Sequence, residues 1–190
     1  MKTQIDIQLL YSVLDKSKSE KDDNLYVILD TARDECIFAK INEINNFDIC
    51  QCLFEGQTAI ECADAAPYLV ILKHQDELMN WIIQNGFGHS WGIFLTSKFS
   101  FNEVTQHLKQ LVLATVQNEE KVFFFRFYDP RVIRVYIPTC NNDELQLFFG
   151  PINSIYTESK ETDSIIEFKY NNNLITNIIE LKSKSKKIVK

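Results

Sequence analysis

With 190 residues, 45% of them hydrophobic and 14 of them phenylalanine, the chain has the composition of a folded domain with a sizeable core, which excludes a disordered protein. A net charge of −6 and a pI near 5.1 argue against broad nucleic-acid binding. The charge is uneven: Lys182 to Lys190 holds five lysines and no acid, so the remainder carries −11, and the tail reads as a solvated end.

At the N-terminus, Asp6 and Gln8 interrupt any apolar core that a signal peptide needs. No run reaches the ~18 apolar residues of a membrane span. A soluble, cytoplasmic protein without membrane insertion is expected. The five cysteines (Cys36, Cys50, Cys52, Cys62 and Cys140) are odd in number and lack a secretory context, so free, mostly buried thiols are expected.

Apolar residues at Ile5, Leu9, Leu10 and Val13 predict a short first helix. Residues 15–24 are polar and read as a loop. Leu25 to Leu29 predicts a buried strand ending at Asp30, followed by a helix from near Thr31 toward Glu43. Cys52-Leu53-Phe54 predicts a short strand closed by Gly56. Cys50 and Cys52 are then strand neighbours, and no second pair at zinc-ligand spacing accompanies them. Pro67 to Leu72 predicts a strand. Gln75 to Asn85 predicts a helix with Gly86 as its stop. Trp91 to Leu95 is strand-like. Ser100 and Glu103 form a capping box, with Phe99 and Val104 at the staple positions. The helix behind them buries Phe101, Val104, Leu108, Leu111 and Val112.

The run from Phe123 to Tyr128 is apolar on both alternating faces and predicts a central strand. Arg126 interrupts one face and needs an anionic partner; Asp30 and Asp129 are the candidates. Asp129-Pro130 then stops the strand and starts a helix, with aspartate as cap and proline at the first helical position. The segment reads as a structural junction. Helices follow near Arg131 to Tyr136 and Asp143 to Phe149, the latter stopped by Gly150-Pro151. Ile165 to Tyr170 predicts a strand. Asn173 is placed to cap a last helix carrying Leu174, Ile175, Ile178 and Ile179 on one face. The polar stretch Thr157 to Asp163 marks a boundary, giving a domain over 1–156 and an extension over 157–190. The fold class is α/β or α+β: a mixed central sheet flanked by helices, with a short helical C-terminal appendage.

Catalytic motifs are absent. There is no Gly-x-Gly-x-x-Gly, phosphate loop, nucleophile elbow or His-Glu-x-x-His. His74 borders a strand, His89 lies in a Gly-rich turn, and His107 sits at the edge of a buried helix stripe. A dyad of Cys62 or Ser97 with His107 is a matter of geometry that spacing does not give. No catalytic, cofactor-binding or metal-binding residue is assigned, and no cofactor is expected.

Several segments, in order, resemble one family. They are Leu25-Tyr26-Val27-Ile28-Leu29-Asp30-Thr31-Ala32-Arg33, Cys52-Leu53-Phe54-Glu55-Gly56, Ala66-Pro67-Tyr68-Leu69-Val70 and Trp91-Gly92-Ile93-Phe94-Leu95-Thr96-Ser97. His107-Leu108, Phe125-Arg126-Phe127-Tyr128-Asp129-Pro130-Arg131 and Phe148-Phe149-Gly150-Pro151 complete the series. Together they resemble a domain-of-unknown-function family of type VI secretion effector chaperones, also called Tap/TEC adaptors. The resemblance runs from Leu25 to Pro151. It implies a non-catalytic protein that binds one cognate secreted effector and helps load it onto the VgrG spike protein. The motif residues look mainly structural. Two other classes stand beside this reading: a small enzyme of unknown reaction, and a regulatory or immunity-like binder of a toxin domain.

Overall fold

The computed structural model describes residues 7–16, 23–44, 46–73, 77–115 and 122–181. Its frame is a seven-stranded sheet in the order β2-β3-β1-β4-β7-β8-β9, antiparallel at every pairing. The strands are β1 (Asn24–Asp30), β2 (Cys50–Cys52), β3 (Pro67–Leu72), β4 (Gly92–Ser97), β7 (Ser154–Glu158), β8 (Ser164–Tyr170) and β9 (Leu174–Glu180). The class is the expected one of helices on a central sheet, but the sheet is antiparallel, not mixed.

β1 lies between β3 and β4 and explains the two-layered core. Tyr26 and Ile28 face one cluster; Leu25, Val27 and Leu29 face the other. A strand buried on both faces reads as a continuous apolar run, and Leu25 to Leu29 is such a run. The first cluster packs α5 (Phe101–Val112), α6 (Pro130–Tyr136) and α7 (Asn142–Phe149) against the sheet. The second packs α1 (Ile7–Lys16), α2 (Glu35–Ile44) and α4 (Glu77–Gly86). A short α3 (Gly56–Glu61) links β2 to β3.

The Phe-rich run corrects one expectation. Only Val122–Phe124 is a strand, β6, and it pairs with β5 (Leu113–Thr115) in a separate two-stranded ribbon. Phe124 is 45% exposed. Phe125 N makes a last bond to Val112 O at 2.9 Å, Arg126 leaves the ladder, and Phe127 and Tyr128 are buried from a turn. Phe125 and Phe127 pack on each other; Tyr136 meets Phe125, and Phe148 meets Phe127. The aromatics fill the helix layer one by one, so their run carries no strand periodicity.

The C-terminus corrects another. Leu174–Glu180 is a strand, not a helix. Its isoleucines favour a pleated surface, and Asn171–Asn173, with Asn172 at φ 59°, turns the chain back so that Tyr170 opposes Leu174. Asparagine tolerates that left-handed conformation. The polar stretch read as a boundary is the end of β7 and the β7–β8 turn, and β7, β8 and β9 all extend the one sheet. Cys52-Leu53-Phe54 was expected as strand; the strand is Cys50–Cys52, with Leu53 and Phe54 buried just beyond it. The first helix, the Pro67–Leu72 strand and the capping box at Ser100 lie where expected. The lysine-rich tail and His74 lie outside the described residues.

Candidate functional site

β1 ends in a carboxylate that water does not reach. Asp30 is fully buried. Its backbone N–H donates to Trp91 O at 2.8 Å, and its carboxylate accepts from Ala32 N at 3.2 Å and from the Arg126 guanidinium. Arg126 brings the cation from the surface: its side chain is 43% exposed. Burial pushes the Asp30 carboxyl above its ordinary value, against the opposing pull of Arg126. Beside it, Thr31 donates through both its backbone N–H and its hydroxyl to Ala66 O, at 3.2 and 2.8 Å, and Pro67 pairs opposite Asp30.

A second acid lies within Coulombic reach. Asp129 caps α6 by accepting from Arg131 N at 2.8 Å, and the Arg131 guanidinium returns to grip its carboxylate at 2.6–3.2 Å. Pro130 occupies the first turn, as its missing N–H permits. Burial raises the Asp129 carboxyl, but Arg131, helped by Arg33, outweighs it and holds the group below its ordinary value. Arg33 closes the 3-10 turn, Thr31–Arg33, that follows β1. Its Nη2 donates to His89 O at 3.4 Å, while its buried Nε has no acceptor among the described residues.

One turn along α6, Arg134 donates to Glu158 O at 2.7 Å. The Glu158 carboxylate is itself held by Gly88 N (2.5 Å), Ser90 N (3.1 Å) and the Ser90 hydroxyl (3.1 Å). Gly88 and Ser90 take positive φ of 84° and 56°, turning their N–H groups onto one carboxylate, in the manner of a backbone nest. The sequence pointed to Asp30, Arg126, Asp129 and Arg131; it missed Arg134 and Glu158. The Gly86-to-Trp91 turn marked one half of that contact, but Glu158 stood in a stretch read as a boundary.

The other motif residues lock the frame. A Cβ at Gly92 would lie 1.8 Å from Ile28 O, so β4 approaches β1 there only without a side chain. Trp91 covers Gly86 and packs on Trp81 at 5.0 Å. The Tyr68 hydroxyl donates to Ala63 O at 3.0 Å. At the far end of α7, Phe149 is buried, Gly150 takes φ 47°, and Pro151 O accepts from the Ser97 hydroxyl at 2.6 Å. The His107 ring lies against Gly150, and its Nε2 donates to Phe148 O at 2.9 Å. Neither Ser97 nor Cys62 bonds to His107, so the dyad is not assembled.

Burial pushes the Cys50 thiol up to about 12 and raises Cys52 as well, which keeps both as unreactive thiols at neutral pH. Burial lowers His107, against the bond to Phe148, so the ring is neutral. Among the described residues no three His, Cys, Asp or Glu side chains gather at metal-binding distance. The enclosed space beside the junction, between Trp91, Gly86, Phe94 and Glu158, holds about 20 Å³, room for one water. Among the described residues no helix is long and apolar enough to cross a membrane.

A family model described as Domain of unknown function (DUF4123) matches residues 25–147. The chain therefore belongs to that family. No curated protein and no solved structure matches it.

Proposed function

We propose that this member of the DUF4123 family is a non-catalytic cytoplasmic adaptor. It binds a cognate type VI secretion effector and helps load it onto the VgrG spike. The observation that carries the reading is the family match from β1 into α7, a span that contains nearly all the motif residues on which the resemblance to effector chaperones rests.

Physical features support a binding role. Arg126 and Arg131 hold their acids from the surface, with side chains 43% and 54% exposed. On the same helix layer, Val135 of α6 and Leu147 of α7 are 69% and 75% exposed. Exposed apolar side chains and planar, multiply donating guanidinium groups suit a protein interface. Cys50 and Cys52 are held as thiols, and His107 is engaged with a carbonyl.

The test is affinity capture of the tagged full-length chain from its native cell. One large effector, with VgrG, is the expected recovery, and deletion of the gene should lower secretion of that effector alone. Equal loss of every secreted protein would make the chain part of the apparatus instead, and no captured effector at all would overturn the adaptor reading.

A further inference from the structure

β9 is the outermost strand of the sheet, bonded to β8 on one side only. The phase of its ladder follows from two bonds. Asn171 N donates to Asn173 O at 3.1 Å, and Leu181 N donates to Asp163 O at 2.9 Å. In an antiparallel pair, alternate residues turn both backbone groups toward the partner. In the register of Glu167 with Asn177, residues 175, 177 and 179 therefore face β8. Leu174, Thr176, Ile178 and Glu180 turn their N–H and C=O groups outward, and these have no backbone partner among the described residues.

Sheet edges are ordinarily guarded by lysine, proline, a bulge or brevity. β9 has none of these: it is seven residues, LITNIIE. Ile178 is 69% exposed and Ile175 43%. The opposite edge, β2, is only three residues long.

We propose that β9 is a self-pairing edge, through which two copies of this chain join by antiparallel β9–β9 pairing into one continuous sheet. Antiparallel pairing must oppose outward-facing residues. A twofold axis at Asn177 does so: Thr176 lies opposite Ile178 of the second copy, and Leu174 opposite Glu180. On the alternate positions, Asn177 meets Asn177 and Ile175 meets Ile179. No like charges stand opposite, and apolar and β-branched residues dominate the pairs, as cross-strand stability requires.

Charge selects the same arrangement. The five lysines of 182–190 follow directly on β9, and the rest of the chain carries −11. Antiparallel pairing sets the C-terminal ends of the two β9 strands, which the tails follow in sequence, at opposite ends of the joined edge. Parallel pairing would set two +5 tails side by side. The proposal does not depend on the adaptor reading.

The experiment is the mass of the full-length chain by light scattering and sedimentation across the micromolar range. Twice 22.2 kDa is expected. Thr176→Pro removes an outward N–H and leaves the β8 ladder whole, as edge strands tolerate, and Ile178→Lys adds an edge guard. Both variants should be monomers with unchanged circular dichroism. In case a variant does not fold, amide exchange of the wild type decides: the N–H groups of Thr176 and Ile178 should gain protection as concentration rises. A wild type that stays monomeric, a dimer that survives both substitutions, or a dimer whose outward amides exchange freely each overturns the proposal. So does a β9 edge that gains protection only when a different protein is added.

Discussion

The contact between Asp30 and Arg126 is asymmetric, and the asymmetry sets what each substitution does. The acid is fully buried, whereas the arginine side chain is 43% exposed. Arg126→Ala strands a buried carboxylate with only the Ala32 N–H, at somewhat more than the ~1–3 kcal/mol of a neutral orphaned group. That is less than the ~3–5 kcal/mol for breaking a wholly buried pair, because water already reaches the arginine. Asp30→Asn keeps the Ala32 contact, removes the buried charge and leaves Arg126 solvated, so it should cost less. Urea unfolding of the two variants checks the order. An Arg126→Ala protein of undiminished stability that has lost effector binding would make Arg126 a contact residue. The need for an acid was legible in the sequence because a lone cation in an apolar run requires one, but Asp30 and Asp129 both stood as candidates and only the fold selects Asp30. Arg134 was not legible, since its partner is a backbone carbonyl and carbonyls leave no mark in a sequence.

Elements were legible where local rules decide them. α5 begins where Ser100 and Glu103 exchange bonds, and α6 begins at Asp129-Pro130. They were misread where tertiary packing overrides the pattern: the Phe run fills the helix layer from a turn, and Ile175, Ile178 and Ile179 fit a helix face as well as a strand. The packing of α5 on the end of α7 has a pH signature. The neutral His107 ring donates to Phe148 O and presses on Gly150. Its pKa lies below the ordinary 6.5, so the unfolded chain binds the proton more tightly than the folded one. The contribution to stability is complete above pH 6.5 and is lost as pH falls from there through the lowered value. His107→Gln retains an N–H for Phe148 O but does not titrate. Urea midpoints measured on either side of pH 6.5 should fall on the acid side for the wild type and change less for the variant. Equal slopes would assign the pH dependence to other groups.

At the scale of the molecule, the strands beyond the family-matched span are structural members of the sheet. Ile155, Tyr156, Ile165 and Phe168 are each no more than 2% exposed and belong to the two core clusters. A chain ending at Gly150 loses them and uncovers the β4 edge from Phe94 to Thr96. It should be insoluble or unfold without cooperativity. A soluble truncation with a sharp denaturant transition would show that 1–150 stands alone. The strand order also has a kinetic consequence. During synthesis the central strand emerges first, yet its neighbours β3 and β4 come later, and the cation for Asp30 comes 96 residues later. Closing such loops is entropically costly and slows folding. The hairpins of β7, β8 and β9 are local and form in about 1–10 μs, but the strand they dock on is already out and waiting. The ribosome must therefore deliver the chain through Arg126, about two-thirds of its length, before the buried acid is neutralised, and until then nascent β1 is a segment in need of a holdase.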